Sequence, residues 1–403
     1  VNNLLAFNQR TPQIRLWSGS NNVIKNNLTW SPSSSLAGIE NKTSSVVSGN
    51  LIADPKLVSA TDWHLQPGSP AIDKALAAYL PAADYAGTAR PQGSAGDLGA
   101  YEFKSGTAAQ WYVAPTGAAS GDGSITKPWD LKTGLTSAKV LPGDTVWVRG
   151  GLYTGTYTVS LKATADKPIL VRAYPGEQPR LDKGFTNDTP VFSGIGSHVW
   201  FWGLEVFNSA PERSLVETSR RGKVAEVYSP HVKFINMFIH DNGSGLGLWQ
   251  DSAVDSTEVY GCVFTYNGAH KWEHGIYTNN GPGTKFITDN IFFANSGYSL
   301  HAYSSSSPTQ GYTVRGNVFV NPGAISPTDM SVAHITIGGS AQHSERIVLE
   351  DNFGYTSPAE PSGKQLGFRV GFSNPNNVDV AMRRNVIAGA RPLLIQWWKQ
   401  VTL

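Results

Sequence analysis

Cysteine is almost missing from this 403-residue chain: Cys262 stands alone, which excludes an intramolecular disulfide framework and any zinc site built on cysteines. Methionine occurs only 3 times. Charge of one sign is missing as well. With 32 Lys and Arg against 30 Asp and Glu, the net charge of +2 is too small for an overall field that would draw nucleic acid or an anionic membrane, so neither is expected as a partner. No run approaches eighteen apolar residues, and no segment is expected to span a membrane. Val1 is not followed by the apolar core of a secretion signal, so any such signal is expected to lie outside these residues. Turn formers and aromatics are abundant: 42 Gly, 24 Pro, 12 Trp, 15 Tyr and 16 Phe. With 40% hydrophobic residues the chain is long enough for one large core or two medium ones.

A short unit recurs along the chain: alternating apolar residues, an Asn, two or three apolar residues and a polar turn. It reads Val232-Lys-Phe-Ile-Asn236-Met-Phe-Ile, Lys285-Phe-Ile-Thr-Asp-Asn290-Ile-Phe-Phe and Tyr312-Thr-Val-Arg-Gly-Asn317-Val-Phe-Val. Further copies place Asn352, Asn385, Asn27 and Asn50 in the same slot, and Cys262 takes it in Glu258-Val-Tyr-Gly-Cys262-Val-Phe. From 236 to 385 the slots are separated by 26, 28, 27, 35 and 33 residues, a solenoid period. Each unit holds strands of four to six residues between Gly, Asn and Ser turns, with no helical periodicity, so one repeat is a β-coil stacked on the next. Asparagines stacked at a bend can hydrogen-bond from coil to coil, and Cys262 is expected there as a small buried side chain.

These residues resemble the right-handed parallel β-helix repeats of the pectate-lyase-like superfamily, common in secreted polysaccharide lyases, hydrolases and epimerases. Trp111-Tyr-Val-Ala-Pro-Thr-Gly with Pro142-Gly-Asp-Thr-Val-Trp-Val-Arg-Gly-Gly-Leu-Tyr153 looks like the family's N-terminal opening. Asp62-Trp-His-Leu-Gln-Pro-Gly-Ser-Pro-Ala-Ile-Asp73 with Asp97-Leu-Gly-Ala-Tyr-Glu-Phe103 looks like its C-terminal tail. The tail therefore precedes the opening. Reading Gln400-Val-Thr-Leu403 into Val1-Asn-Asn3-Leu-Leu-Ala-Phe7 restores a repeat. The expectation is an all-β chain forming a single right-handed parallel β-helix of about eleven coils, circularly permuted. Residues 1–103 would supply the C-terminal coils and tail, 104–110 a joint, and 111–403 the opening and central coils. The resemblance implies a secreted, extracellular protein that takes a polysaccharide. A monomer is the expectation, with a head-to-tail filament as the alternative.

The strands after each Asn bend can be laid side by side, and their alternation sends Leu248, Ile276, Leu300, Ala302, Ile335, Phe368, Val370, Ile395, Ile14 and Leu16 inward. The opposite parity faces out: Trp249, Tyr277, His301, Tyr303, His334, Thr336, Arg369, Gln396, Trp398, Arg15 and Trp17. Sugars stack on aromatic faces, and Arg, His and Gln hydrogen-bond hydroxyls and carboxylates, so this stripe is the expected glycan site. Beside it, His270-Lys-Trp-Glu-His-Gly275 gathers titratable groups suited to acid/base work. The expected reaction is β-elimination on an acidic glycan, with Arg369 or Arg15 neutralising the carboxylate and His301, Lys271 or Tyr303 removing the α-proton, while Glu273 and His274 complete the catalytic set. A hydrolase would need two carboxylates about 5–9 Å apart, for which Asp251 and Glu273 are the evident pair. A non-catalytic glycan-binding or fibre-forming protein is the other alternative. No metal site and no cofactor are assigned, although Asp251, Asp255 and Glu273 are oxygen ligands of the type calcium takes. The calcium motif and the Arg-His-Gly phrase of family 6 polysaccharide lyases, which share the fold, do not occur.

Overall fold

The computed structural model describes the chain except for residues 7–11, 32–37, 60, 67–68, 104–107, 212–220, 250–254, 271, 307–308, 327–331, 341, 359–365 and 390. It forms two compact units, residues 1–107 and 108–403.

Residues 108–403 are a stack of coils carrying three parallel sheets. The first sheet has eleven strands and runs from Gln110–Val113 to Val401–Thr402; the second has nine, from Gly151–Thr154 to Val386–Ala388; the third also has nine, from Tyr157–Thr158 to Arg391–Ile395. Each strand pairs with the strand one coil away, so like positions align: Val171, Phe201, Phe234, Val259, Ile287, Val314 and Leu349 form one inward column. Every one of them is fully buried, because strand alternation gives each coil an apolar inner parity. Aromatic rings stack inside: Phe264 on Phe292 at 4.8 Å and Phe292 on Phe319 at 4.9 Å.

The asparagine slots form a ladder at the corner between the first two sheets. The backbone N–H and the amide of Asn290 both donate to Asn317 Oδ1 (3.0 and 2.9 Å), Asn317 does the same to Asn352 (3.1 and 2.9 Å), and Asn352 to Asn385 (3.1 and 2.9 Å). Cys262 occupies a rung, its N–H donating to Asn290 Oδ1 and its thiol to the Phe234 carbonyl, and burial pushes that thiol up to about 12. The slot one coil earlier is filled by Met237, whose N–H donates to Cys262 Sγ, and not by Asn236. Asn236 sits one residue before the slot in the left-handed conformation (φ 49°), which asparagine tolerates better than most residues. A second ladder, Asn242–Asn267–Asn295, lines another corner.

Asn317 is buried and serves both neighbouring rungs, also donating to the Ile287 carbonyl. Asn317→Ala is expected to destabilise residues 108–403 by about 3 kcal/mol, because it leaves the Asn290 donors and the Ile287 carbonyl buried and unpaired. The midpoint of urea unfolding measures this; a loss below about 0.5 kcal/mol would show that the ladder is ornamental to stability.

The opening of this unit follows from its motif. Asp144 accepts from Ala109 N–H (2.7 Å), Trp111 Nε1–H (2.8 Å) and Leu141 N–H (2.9 Å), which ties the first two strands together. Trp111 stacks on Trp129 at 4.7 Å, and the short helix Leu131–Thr136 is capped by Asp130, which accepts from Thr133 N–H.

Residues 1–107 also begin as coils. Leu4–Leu5, Leu28–Thr29 and Leu51–Ile52 make a three-stranded parallel sheet, and Asn3, Asn27 and Asn50 form its ladder. The tail motif then folds on itself: Asp97 accepts from the Asp73 and Phe103 N–H groups, and Glu102 accepts from Gln92 and Asp97 N–H and pairs with Arg90 in a buried salt bridge. Among the described residues no helix is long and apolar enough to cross a membrane.

Candidate functional site

The third sheet turns one column outward in register: Glu226, Gly247, Tyr277, His301, Thr336, Arg369 and Leu394. Gly247 leaves a gap that Trp249 folds back to fill, since a Cβ at 247 would lie 3.3 Å from the indole. Beneath this end, the buried Lys285 ammonium donates to the Leu248, Trp249 and Asn279 carbonyls and pairs with Asp255 at 3.4 Å. Burial pulls Lys285 down to about 8. Trp249 meets Tyr277 edge to face at 5.1 Å, and Tyr277, His301 and Tyr303 then stack in turn (5.1 and 5.4 Å). Tyr303 touches Phe372 at 5.1 Å, and the Arg369 guanidinium lies 4.8 Å over that same ring. Trp249, Tyr277, His301, Tyr303 and Arg369 are thus brought into one continuous surface, with Gln396 accepting from Arg369 Nη2 at 3.4 Å.

The histidines form a directed chain. Tyr298 N–H donates to His274 Nδ1 at 3.1 Å, so neutral His274 carries its proton on Nε2. That Nε2–H donates to His301 Nδ1, also 3.1 Å away, which places the proton of His301 on Nε2. Burial holds His301 down to about 3, with the Arg369 charge adding to it; burial and the neighbouring His301 and His270 hold His274 well below its ordinary value. His301 therefore meets a ligand as a neutral hydrogen-bond donor. In this tautomer Nδ1 is occupied and Nε2 protonated, so no lone pair of His301 is free to remove a proton.

Several buried polar atoms on this face lack a protein partner: Trp249 Nε1, Thr336 Oγ1, Arg369 Nε and Trp398 Nε1. Buried donors are rarely left unpaired, and these four atoms belong to the strands, or the residues just after them, that carry the outward column. Arg369 has no carboxylate partner among the described residues.

His334 does not face outward. Its ring is fully buried, bonded through Nε2 to Thr356 Oγ1 (3.1 Å) and set beside Phe319; Gly354 makes room for it, since a Cβ there would come within 3.1 Å. Trp398 also departs from the expected parity and packs against the core, while Trp397 is 58% exposed. Trp397 adopts φ 62°, which breaks the alternation at that point. Glu273 is buried, accepting from Ala269 N–H at 2.6 Å, with His270 Nε2 at 3.8 Å. It lines a small cavity with Asp188, Lys223, Ser244 and Trp272. Lys271 and Asp251 lie outside the described residues. Arg15 and Trp17 belong to residues 1–107, where Arg15 pairs with Glu40 and, with Lys42, lies over the exposed Trp17 ring. Among the described residues no group of three or more His, Cys, Asp or Glu is placed to hold a metal ion. Asp255 pairs with Lys285, and Glu273 accepts from Ala269 N–H.

Sequence reasoning missed Tyr298, Phe372 and Lys183. Tyr298 precedes its strand, where alternation no longer assigns a face, yet its ring packs on His301 at 4.4 Å. Lys183 is fully buried, donating to the Asn187 and Arg221 carbonyls, and burial draws it down to about 8.

Residues 111–263 match the family described as the Pel9A-like, right handed beta helix region. Among solved structures the chain is similar to a rhamnogalacturonan lyase at 14% identity and a TM-score of 0.50, covering 73% of this chain and 86% of that one. It is also similar to pectate lyase Pel9A (19% identity, TM-score 0.49, 73% and 77% covered) and to a GH136 lacto-N-biosidase from Eubacterium ramulus (12%, 0.44, 73% and 68%). No curated protein matches. The three stacked parallel sheets and the match over residues 111–263 show a right-handed parallel β-helix.

Proposed function

We propose that the protein binds a uronate-containing polysaccharide outside the cell, along the outer face of the third sheet, and cleaves it by β-elimination. The observation that carries this reading is the Arg369 guanidinium, without a carboxylate partner among the described residues, in one surface with the neutral Nε2–H of His301 and the Tyr303 phenol. Arg369 and His301 would bond the uronate carboxylate and hold the negative charge that develops as the α-proton leaves. Tyr303, ionised to the phenolate, would take that proton from C5 and, as the phenol it thereby becomes, return it to the glycosidic oxygen. The C–H electron pair becomes the C4–C5 double bond while the C4–O4 bond breaks, and no outside reactant is needed. Trp249 and Tyr277 would stack sugars on one side of the centre.

The test is incubation with a panel of acidic and neutral glycans, following the ultraviolet absorbance of unsaturated uronate together with new reducing ends. Both signals from an acidic glycan support elimination. Reducing ends without absorbance would replace it with hydrolysis, the reading favoured by Asp188 and Glu273 lining one cavity. Binding without either signal would leave a glycan-binding protein. Trp249→Ala is expected to weaken binding of the same glycan by about tenfold, the effect of one lost aromatic contact, and binding calorimetry measures it.

A further inference from the structure

The outer face of the second sheet differs from the other outward surfaces of the same coils. On the first sheet the outward positions carry charge, including the Lys233–Glu258 ion pair, Arg315, Glu350 and Arg383. On the second sheet, five successive coils present no Lys, Arg, Asp or Glu in either outward column. One column reads Phe238, Val263, Ile291, Val318, Phe353, and the other His240, Thr265, Phe293, Val320, Tyr355. Phe238, Ile291, Phe293, Phe353 and Tyr355 are between 37% and 45% exposed. An apolar face of this extent, rimmed by polar corners, marks an interaction surface.

The order of side chains says what fits it. About strand Ile291–Phe293 the first column is a palindrome: Val263 and Val318 flank Ile291, and Phe238 and Phe353 close the ends. The second column is centred on the same strand. Thr265 and Val320, equal in shape, flank Phe293, and His240 and Tyr355, both flat rings, stand beyond them. A two-fold axis lying in the interface along that strand would set Phe238 over Phe353, Val263 over Val318 and Ile291 over itself, with Phe293 over itself in the other column. Such self-complementarity is what an isologous contact requires. We infer that this face is the interface of a homodimer in which two copies pack antiparallel through their second sheets, in place of the monomer expected from sequence. Five coils at about 4.8 Å span about 19 Å, and with only two columns about 7 Å apart the contact is smaller than a typical stable interface, so the dimer is weak and concentration-dependent. The inference is independent of the proposed reaction, since the outward column of the third sheet is not used.

Light scattering on the full chain tests it. A mass of twice 43.3 kDa is expected at high concentration, falling toward 43.3 kDa on dilution. Ile291→Glu places two like charges on the axis and is expected to leave only the single-chain mass, whereas Leu141→Glu, exposed and outside the second sheet, is expected to leave the dimer unchanged. Orientation is read with a short bis-maleimide, Cys262 being buried. Ile291→Cys is expected to crosslink to itself, whereas Phe238→Cys and Phe353→Cys are each expected to crosslink only when mixed. A single-chain mass at every concentration, a dimer that survives Ile291→Glu, or self-crosslinking of Phe238→Cys alone overturns the inference. If Ile291→Glu fails to fold, the cysteine variants carry the same test.

Discussion

Arg369→Ala is expected to lower the formation of unsaturated uronate by about 10²–10³, the effect of removing one charge that stabilises the transition state, with little change in stability because the side chain is half-buried and, among the described residues, hydrogen-bonds Gln396 alone. Arg369→Lys is expected to restore little of the rate, since an ammonium cannot bond both carboxylate oxygens in one plane. Initial rates of the ultraviolet signal, with circular dichroism to confirm the fold, measure this. Full activity in Arg369→Ala would remove the residue from the mechanism and move attention to Glu273 and its cavity.

The second large effect is on stability against pH. His274, His301 and His334 are buried in the neutral form; burial holds His301 and His334 down to about 3 and His274 well below its ordinary value. In the unfolded chain each would titrate near 6.5. Their folded values are depressed, so the stability they contribute is complete above about pH 6.5 and is lost as the pH falls from there toward about 3. Each proton bound only by the unfolded chain removes up to about 1.4 kcal/mol per pH unit, and since binding is half complete at pH 6.5, three remove about 5 kcal/mol between pH 6.5 and 5, a large part of a typical folding stability. Lys183 and Lys285, drawn down to about 8, act only above that value and leave this window flat. His240, raised by Asp241 and Glu205 against its burial, adds stability below about 6.5 that is lost as the pH rises. Urea titrations at the two pH values read the slope, and His301→Gln is expected to remove about a third of it. A stability equal at pH 6.5 and 5 would mean that the histidines are hydrated or already charged in the folded protein.

Much of the outward column of the third sheet was legible before the structure. The outward column of Tyr277, His301, Thr336 and Arg369 follows from strand alternation, because each of these residues lies inside a strand paired in register with the next. Alternation failed at the strand ends. His334 turned inward because Gly354 leaves space for its ring, and Trp398 turned inward because Trp397 takes a left-handed conformation. The asparagine slots were placed correctly except at Asn236, where a left-handed turn residue stands one position ahead of the rung.

The sequence by itself determined the coil period, the inner apolar parity and the ladder from Asn290 to Asn385, because these rest on local alternation and on a side chain that both donates and accepts. It also determined the two motif ends, whose aspartates Asp144 and Asp97 bond backbone a short way along the chain or one strand over. Only the tertiary structure decided that His274 donates to His301, that Phe372 joins Tyr303 to Arg369, and that the outward columns of the second sheet carry no Lys, Arg, Asp or Glu over five consecutive coils. Those arrangements gather residues from distant parts of the chain through loops of unequal length, so no spacing announces them. They exist because stacked parallel coils bring each residue about 4.8 Å from its counterpart in the next turn, whatever the length of chain between them.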